Sequence, residues 1–262
     1  MSIDASPMFV AHDSAWPSRN NMTKLIRYRH AADDFYGILD GDTVRELQGD
    51  LFHHRETQVT HSLAEVKLLP PCTPSKILAV GLNYRSHLNG RPAPASPEIF
   101  YKPPSCLIAA GDSIVIPKDA KNVHSEGELV IVIGPGTSIF GVTCGNDVSE
   151  RDWQHGPSKD LQWWRAKGAD TFGPLGPAIV TGIDYSNLLL QTRINGETVQ
   201  KQYTSDLMFD CPSIVKYVSQ WVTLQPGDVI YTGTPGNTKK MNPGDTVEVE
   251  IEGIGVLQNR VV

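Results

Sequence analysis

Apolar and polar positions alternate along this chain in short runs, the pattern of strands rather than of long helices. LIRYRH and then FYGILDGDTVREL read as strands, the last two joined at Asp40-Gly41, residues that tolerate the positive φ of a tight hairpin turn. KILAVGL is continuously apolar and predicts a buried strand. Further strand-like runs fall at 114–116, 128–133, 178–180, 188–194, 228–231 and 247–251. Asn195-Gly196 marks a second hairpin. One helix is well signalled, with Asp210 as N-cap, Pro212 in the first turn, and Ile214, Val218 and Trp221 on one stripe. PGD occurs at 226–228 and at 243–245, each time ahead of an apolar strand, and reads as a turn device rather than a repeat.

Many strands and few helices predict an α+β chain that is mainly β. Residues 1–21 lack periodicity and read as a flexible extension. Residues 22–72 form a small β-rich N-terminal unit, closed by the Pro-rich LLPPCTPSK at 68–76, and 73–262 form the main domain. The segment NYRSHLNGRPAPASPE has no period and the length of a functional loop, often a lid.

Composition narrows the class. Gly (23) and Pro (19) are abundant among 262 residues, which favours turns. The formal charge is −6 with no basic cluster, which argues against nucleic acid and anionic membrane as partners. No apolar run reaches the ~18–20 residues of a membrane span. Cys72, Cys106, Cys144 and Cys211 are scattered, as expected for reduced core thiols of a cytoplasmic protein. The N-terminus has neither secretory nor organellar signal character.

The chemistry concentrates in HSEGELVIVIG, residues 124–134. Strand alternation sets Leu129, Ile131 and Ile133 on one face and Glu126 and Glu128 on the other. Two carboxylates so placed repel unless a cation or proton lies between them, although an exposed strand start with solvated glutamates has the same pattern. GVTCGNDVSERDW then presents Asp147 after a Gly-rich turn. Asp147 can complete an all-oxygen site for a hard cation, Mg²⁺ or Mn²⁺, or serve as a helix N-cap; spacing does not separate the two.

Taken in order, GLNYRSH (81–87), FYKPPS (100–105), HSEGELVIVIG, GNDVSERDWQ (145–154), KGADTFGPLGP (167–177) and GDVIYTGTPGN (227–237) resemble the fumarylacetoacetate hydrolase family over about 75–262. The resemblance implies a mixed β-roll fold, a homodimer, and action on a small 2-oxo or 1,3-dicarbonyl acid. It makes Glu126, Glu128 and Asp147 the ligands of Mg²⁺ or Mn²⁺ and His87 a lid general base. Arg151, Gln154 and Lys167 match positions lining the site, with Lys167 and Arg151 holding carboxylate and developing charge. Thr234 matches a residue near the substrate carboxylate, and Tyr84 a pocket residue. His124 is expected behind the ligands rather than among them.

The leading expectation is hydrolytic carbon–carbon cleavage of an acylpyruvate-like acid through a metal-stabilised enolate. Two departures bear on it. Hydrolytic members carry a Glu three positions after the lid histidine, where this chain has Gly90. Decarboxylation and keto–enol isomerisation need no attacking water and tolerate that loss, and Glu98 is a potential substitute. The connection 134–141 is also short, where the family carries a helix, which puts the approach of Asp147 in question.

Overall fold

β-Branched and aromatic residues in period-two runs, punctuated by Gly and Pro, favour pleated strands, and strands dominate. The computed structural model describes residues 22–262, so the extension expected over 1–21 lies outside the described residues. The largest sheet runs, in spatial order, His54–Ser62, Thr43–Gly49, Asp33–Asp40, Thr23–His30, Gly173–Thr181, Ile139–Asn146, Gly127–Ile133, Val229–Tyr231, Ile77–Gly81 and Glu98–Lys102. A five-stranded sheet orders Glu197–Tyr203, Leu189–Ile194, Thr246–Ile251, Gly255–Val261 and Ser113–Ile114. A small sheet joins Ser149–Glu150, Val123–Ser125 and Lys239–Lys240. The N-terminal unit continues the main sheet, because Leu25 pairs with Ile179 and Thr23 with Thr181.

The strand Gly127–Ile133 is buried along its whole length. Leu129, Ile131 and Ile133 pack with Ile214, Val249 and Ile251, between the main sheet, the five-stranded sheet and the helix. Val130 and Val132 face the opposite core with Ile77, Ala79 and Tyr231. Each such side chain contributes about 1.5–3 kcal/mol of burial, so the strand is a rigid base for the glutamates at its start.

Helix Cys211–Ser219 is capped by Asp210, which accepts from Ser213 N at 2.8 Å. Ile214 and Val218 are buried, but Trp221 is 79% exposed. The helix stops at Ser219, so the expected stripe loses its last member; the third apolar position falls after the last helical turn. Asn195-Gly196 and Asp40-Gly41 turn their hairpins as expected. The two PGD aspartates share one device. Asp228 Oδ2 accepts from Gln225 N and Asp245 Oδ2 from Asn242 N, both at 2.7 Å. Asp228 does more: its buried carboxylate also takes Ser75 N, Ser75 Oγ, Lys76 N and Lys76 Nζ, pinning the end of the Pro-rich boundary to the main sheet. The four cysteines are free and buried. No helix among the described residues is long and apolar enough to cross a membrane.

Candidate metal and substrate site

Glu126 sits in the gap between strands Val123–Ser125 and Gly127–Ile133, while Glu128 belongs to the second. Gly127 between them accommodates this jump from sheet to sheet, because a Cβ there would collide with Thr192 Oγ1. Asp147 follows strand Ile139–Asn146, and its N–H donates to Glu126 O at 2.9 Å, so backbone links the two acidic stretches directly. Asn146 Oδ1 accepts from Glu126 N at 2.9 Å and tightens the same junction. Asp147 caps no helix: helix Arg151–His155 is capped by Glu150, whose carboxylate accepts from Trp153 N. The short connection 134–141 closes in a turn at Pro135–Thr137 and leaves Asp147 beside the glutamates.

Glu126, Glu128 and Asp147 are buried, and each offers an oxygen within 4.8 Å of the others'. Cations are interleaved with them. Lys167 Nζ donates to Glu126 Oε2 at 2.6 Å and to Asp147 Oδ2, and Arg151 Nη2 donates to Glu126 Oε1 at 2.5 Å. Lys102, also fully buried, donates to Asp147 Oδ1 at 2.7 Å, to Phe172 O at 3.0 Å and to Lys167 O. Glu128 forms no ion pair among the described residues. Among the described residues its one hydrogen bond comes from Gly233 N at 2.7 Å, a donor aimed by the positive φ of +103° at Gly233.

The electrostatics follow from this arrangement. Burial opposes ionisation of Glu126, but Arg151 and then Lys167 outweigh it and hold the carboxyl well below its usual range. Burial pushes Glu128 well above its range, and the charges of Asp147 and Glu126 push it further. Lys167 is raised, because Asp147 and Glu126 outweigh the burial that would lower it. An under-compensated carboxylate beside two that are paired with cations, with only oxygen donors, is the donor chemistry of a hard divalent cation such as Mg²⁺ or Mn²⁺.

A cavity of about 160 Å³ opens over these groups. His87, Arg151, Gln154, Lys167 and Thr234 line it together with the three carboxylates. His87 lies in the turn Arg85–His87, and its Nδ1 is 2.5 Å from Gly236 O. A carbonyl only accepts, so Nδ1 carries the proton and the neutral ring keeps its lone pair on Nε2, the arrangement of a general base. Ser86 Oγ accepts from Gly236 N at 3.1 Å and ties the same turn to the same loop. Gln154 Oε1 accepts from Arg151 Nη1 at 2.6 Å, and its amide nitrogen has no hydrogen-bond partner among the described residues. Thr234 Oγ1 donates to Gly127 O at 2.9 Å and accepts from Gln200 Nε2 at 2.8 Å.

Tyr84 is placed elsewhere. It is fully buried, its hydroxyl has no hydrogen-bond partner among the described residues, and it is not among the residues lining the cavity. His124 holds Thr238 Oγ1 and Asn122 Oδ1 with its two ring nitrogens, each at 2.9 Å, and also stays off the cavity wall. Glu98 lines the cavity from the first position of strand Glu98–Lys102, not from a loop.

Sequence reasoning missed Lys102 and the apolar wall. In EIFYK the period-two signal was available: Glu98, Phe100 and Lys102 share a face. Phe100 lies under Lys167 Nζ, 5.1 Å from ring centre to nitrogen, and edge-on to Trp163 at 5.4 Å. Gly90 also has a local explanation. Asn89 and Gly90 both have positive φ and Arg91 N donates to Leu88 O at 3.0 Å, the geometry of a type I′ turn.

Residues 76–262 match the family model for the fumarylacetoacetate (FAA) hydrolase C-terminal region, and residues 23–71 match that for the Rv2993c-like N-terminal region. Oxaloacetate tautomerase FAHD2A, mitochondrial, of Bos taurus is 40% identical over 222 residues, 76% of this chain and 70% of its own. The crystal structure of 5-carboxymethyl-2-hydroxymuconate delta-isomerase from Mycobacterium smegmatis superposes with a TM-score of 0.85 at 42% identity, covering 91% of this chain and 99% of that one. Maleylpyruvate hydrolase from Sphingobium sp. SYK-6, solved with manganese(II) and pyruvate, gives 0.75 at 27% identity over 91% and 98%.

Proposed function

We propose that this chain, which belongs to the fumarylacetoacetate hydrolase family, is a divalent-metal-dependent enzyme that interconverts the keto and enol forms of a small 2-oxo acid, oxaloacetate being the leading substrate. The observation that carries this reading is His87, whose ring is oriented by the Gly236 carbonyl; among the described residues no carboxylate hydrogen-bonds that ring to support an imidazolium through water attack. Moving a proton off and back onto one substrate needs less of that support than hydrolysis. The activities named for the tautomerase and the delta-isomerase support the same reading.

Glu126, Glu128 and Asp147 would hold Mg²⁺ or Mn²⁺, which supplies Lewis-acid polarisation of the 2-oxo acid's oxygens. Lys167 and Arg151 hold the carboxylate and the charge that develops on the carbonyl oxygen. Gln154 offers its free amide nitrogen. Phe100 and Trp163 exclude water on one side. His87 Nε2 takes the proton from the carbon next to the carbonyl, the C–H electron pair forms the C=C bond, and returning the proton to oxygen completes the enol. The same proposal includes a homodimer and a cytoplasmic location, with sedimentation velocity the check on assembly.

A second reading, hydrolysis of an acylpyruvate-like acid, is favoured by Glu98, a carboxylate in the same cavity that forms no ion pair among the described residues. The ultraviolet absorbance of the enol, followed with Mg²⁺ for oxaloacetate and with acetylpyruvate cleavage in parallel, separates the two. Accelerated oxaloacetate ketonisation, abolished by EDTA, is expected. Cleavage of acetylpyruvate alone would install hydrolysis instead, and action on neither acid with either metal would defeat both. Glu128→Gln, which keeps shape and removes charge, is expected to abolish the Mg²⁺-dependent rise in melting temperature.

A further inference from the structure

Three cationic side chains line the cavity, and two of them are neutralised from within. Arg151 pairs with Glu126, and Lys167 with Glu126 and Asp147. Arg91 is the third. It is exposed to solvent and lines the cavity together with His87. Its guanidinium bonds only backbone carbonyls, Nε to Leu88 O at 3.0 Å and Nη2 to His87 O at 3.3 Å. Among the described residues it forms no ion pair, although Glu98 lines the same cavity. The two carbonyl bonds fix the guanidinium plane while leaving its Nη1 donors uncommitted.

A 2-oxo acid held at the carboxylate cluster uses Lys167 and Arg151 at that end. A second carboxylate on the substrate then points toward the mouth and needs a cation of its own, because an unpaired charge in a partly enclosed cavity is costly. A guanidinium already oriented loses less freedom on binding a carboxylate than a swinging lysine would.

We infer that Arg91 is the specificity-determining residue that receives the distal carboxylate of the substrate, so that the site selects 2-oxo dicarboxylates over 2-oxo monocarboxylates of the same chain length. The inference rests on the proposed 2-oxo acid chemistry and deepens it. The position also explains why the turn at Asn89-Gly90 is tight: it returns the chain so that Arg91 reaches back over Leu88 and His87. Loop residues gain function this way when a rigid scaffold holds their two ends.

The test measures kcat/KM of the full chain with Mg²⁺ for enol–keto conversion of oxaloacetate and of 2-oxobutanoate, in wild type, Arg91→Gln and Arg91→Lys. The ratio of dicarboxylate to monocarboxylate efficiency is expected to fall roughly ten- to a hundredfold in Arg91→Gln, the range for one charged hydrogen-bonded contact. Arg91→Lys is expected to restore part of it, and the loss should sit mainly in KM. An unchanged ratio, with both efficiencies falling together, would reduce Arg91 to a tie within its loop and overturn the inference. If wild type acts on neither acid, the reaction assigned above fails, and calorimetry with Mg²⁺ still decides the subsite. Malate should bind more tightly than 2-hydroxybutanoate to wild type and lose that advantage in Arg91→Gln; equal binding of both by wild type would refute the subsite.

Discussion

The floor of the cavity and its rim are built on opposite principles. In the floor, Glu126, Glu128, Asp147, Lys102 and Lys167 are all buried, each held by several strands or by one another. The rim from Arg85 to Arg91 is mostly exposed and is held by backbone carbonyls: Gly236 O takes His87, and Leu88 O and His87 O take Arg91. A charged network inside a core tolerates little change, since breaking one pair strands the partner. A rim fixed through main-chain groups permits its side chains to vary. Under the proposed function, the floor would serve chemistry common to many oxo acids, and the rim would select among them.

Disabling the rim base should separate turnover from cation binding most sharply. His87→Asn is expected to lower kcat by roughly 10²–10⁴-fold, the usual share of a general base, while the Mg²⁺-dependent shift in melting temperature persists. Loss of that shift along with turnover would mean that rim and floor are one unit.

Damage to the floor should appear in stability before activity is considered. Lys102→Met removes the cation between Asp147 and two carbonyls, and urea denaturation should show a loss of about 3–5 kcal/mol. A change under 1 kcal/mol would show that Lys102 is not needed to balance Asp147.

The smallest effect lies outside both regions, at Asp228. Burial would raise its carboxyl, but Lys76 and the N–H of Gln225, with Ser75, hold it low. A carboxyl held low in the folded state adds stability that is complete above the unfolded value near 3.9 and disappears as pH falls through the folded one. Wild type should therefore lose stability relative to Asp228→Asn only below about pH 4, as read from melting temperatures between pH 2.5 and 6. Parallel curves for the two proteins would remove Asp228 from the acid response.

Much of the architecture was legible because it depends on local patterns. Period-two runs and the Asn-Gly and Asp-Gly turns located strands and hairpins, and Asp210 located the helix start. Trp221 misled because an apolar residue two positions beyond Ser219 keeps the helical spacing after the helix has ended. In the site, the resemblance named groups that converge on one cavity, Tyr84 excepted, which is buried and is not among the residues lining it. Lys102 and the Gly236 carbonyl were not read. The approach of Lys102 to Asp147 depends on where pairing with Ile77–Gly81 places strand Glu98–Lys102, and a backbone acceptor leaves no trace in residue identity.

The joining of Thr23–His30 to Gly173–Thr181 has a practical outcome for anyone trimming this protein. Cutting away residues 22–72 would bare one flank of the strand that neighbours Ile139–Asn146, leaving a row of unsatisfied N–H and C=O groups. Such a flank invites pairing with a second molecule, so the shortened chain should self-associate into insoluble material even with every ligand and base intact. The amino-terminal strands thus act as a cover for the larger part, whatever else they do.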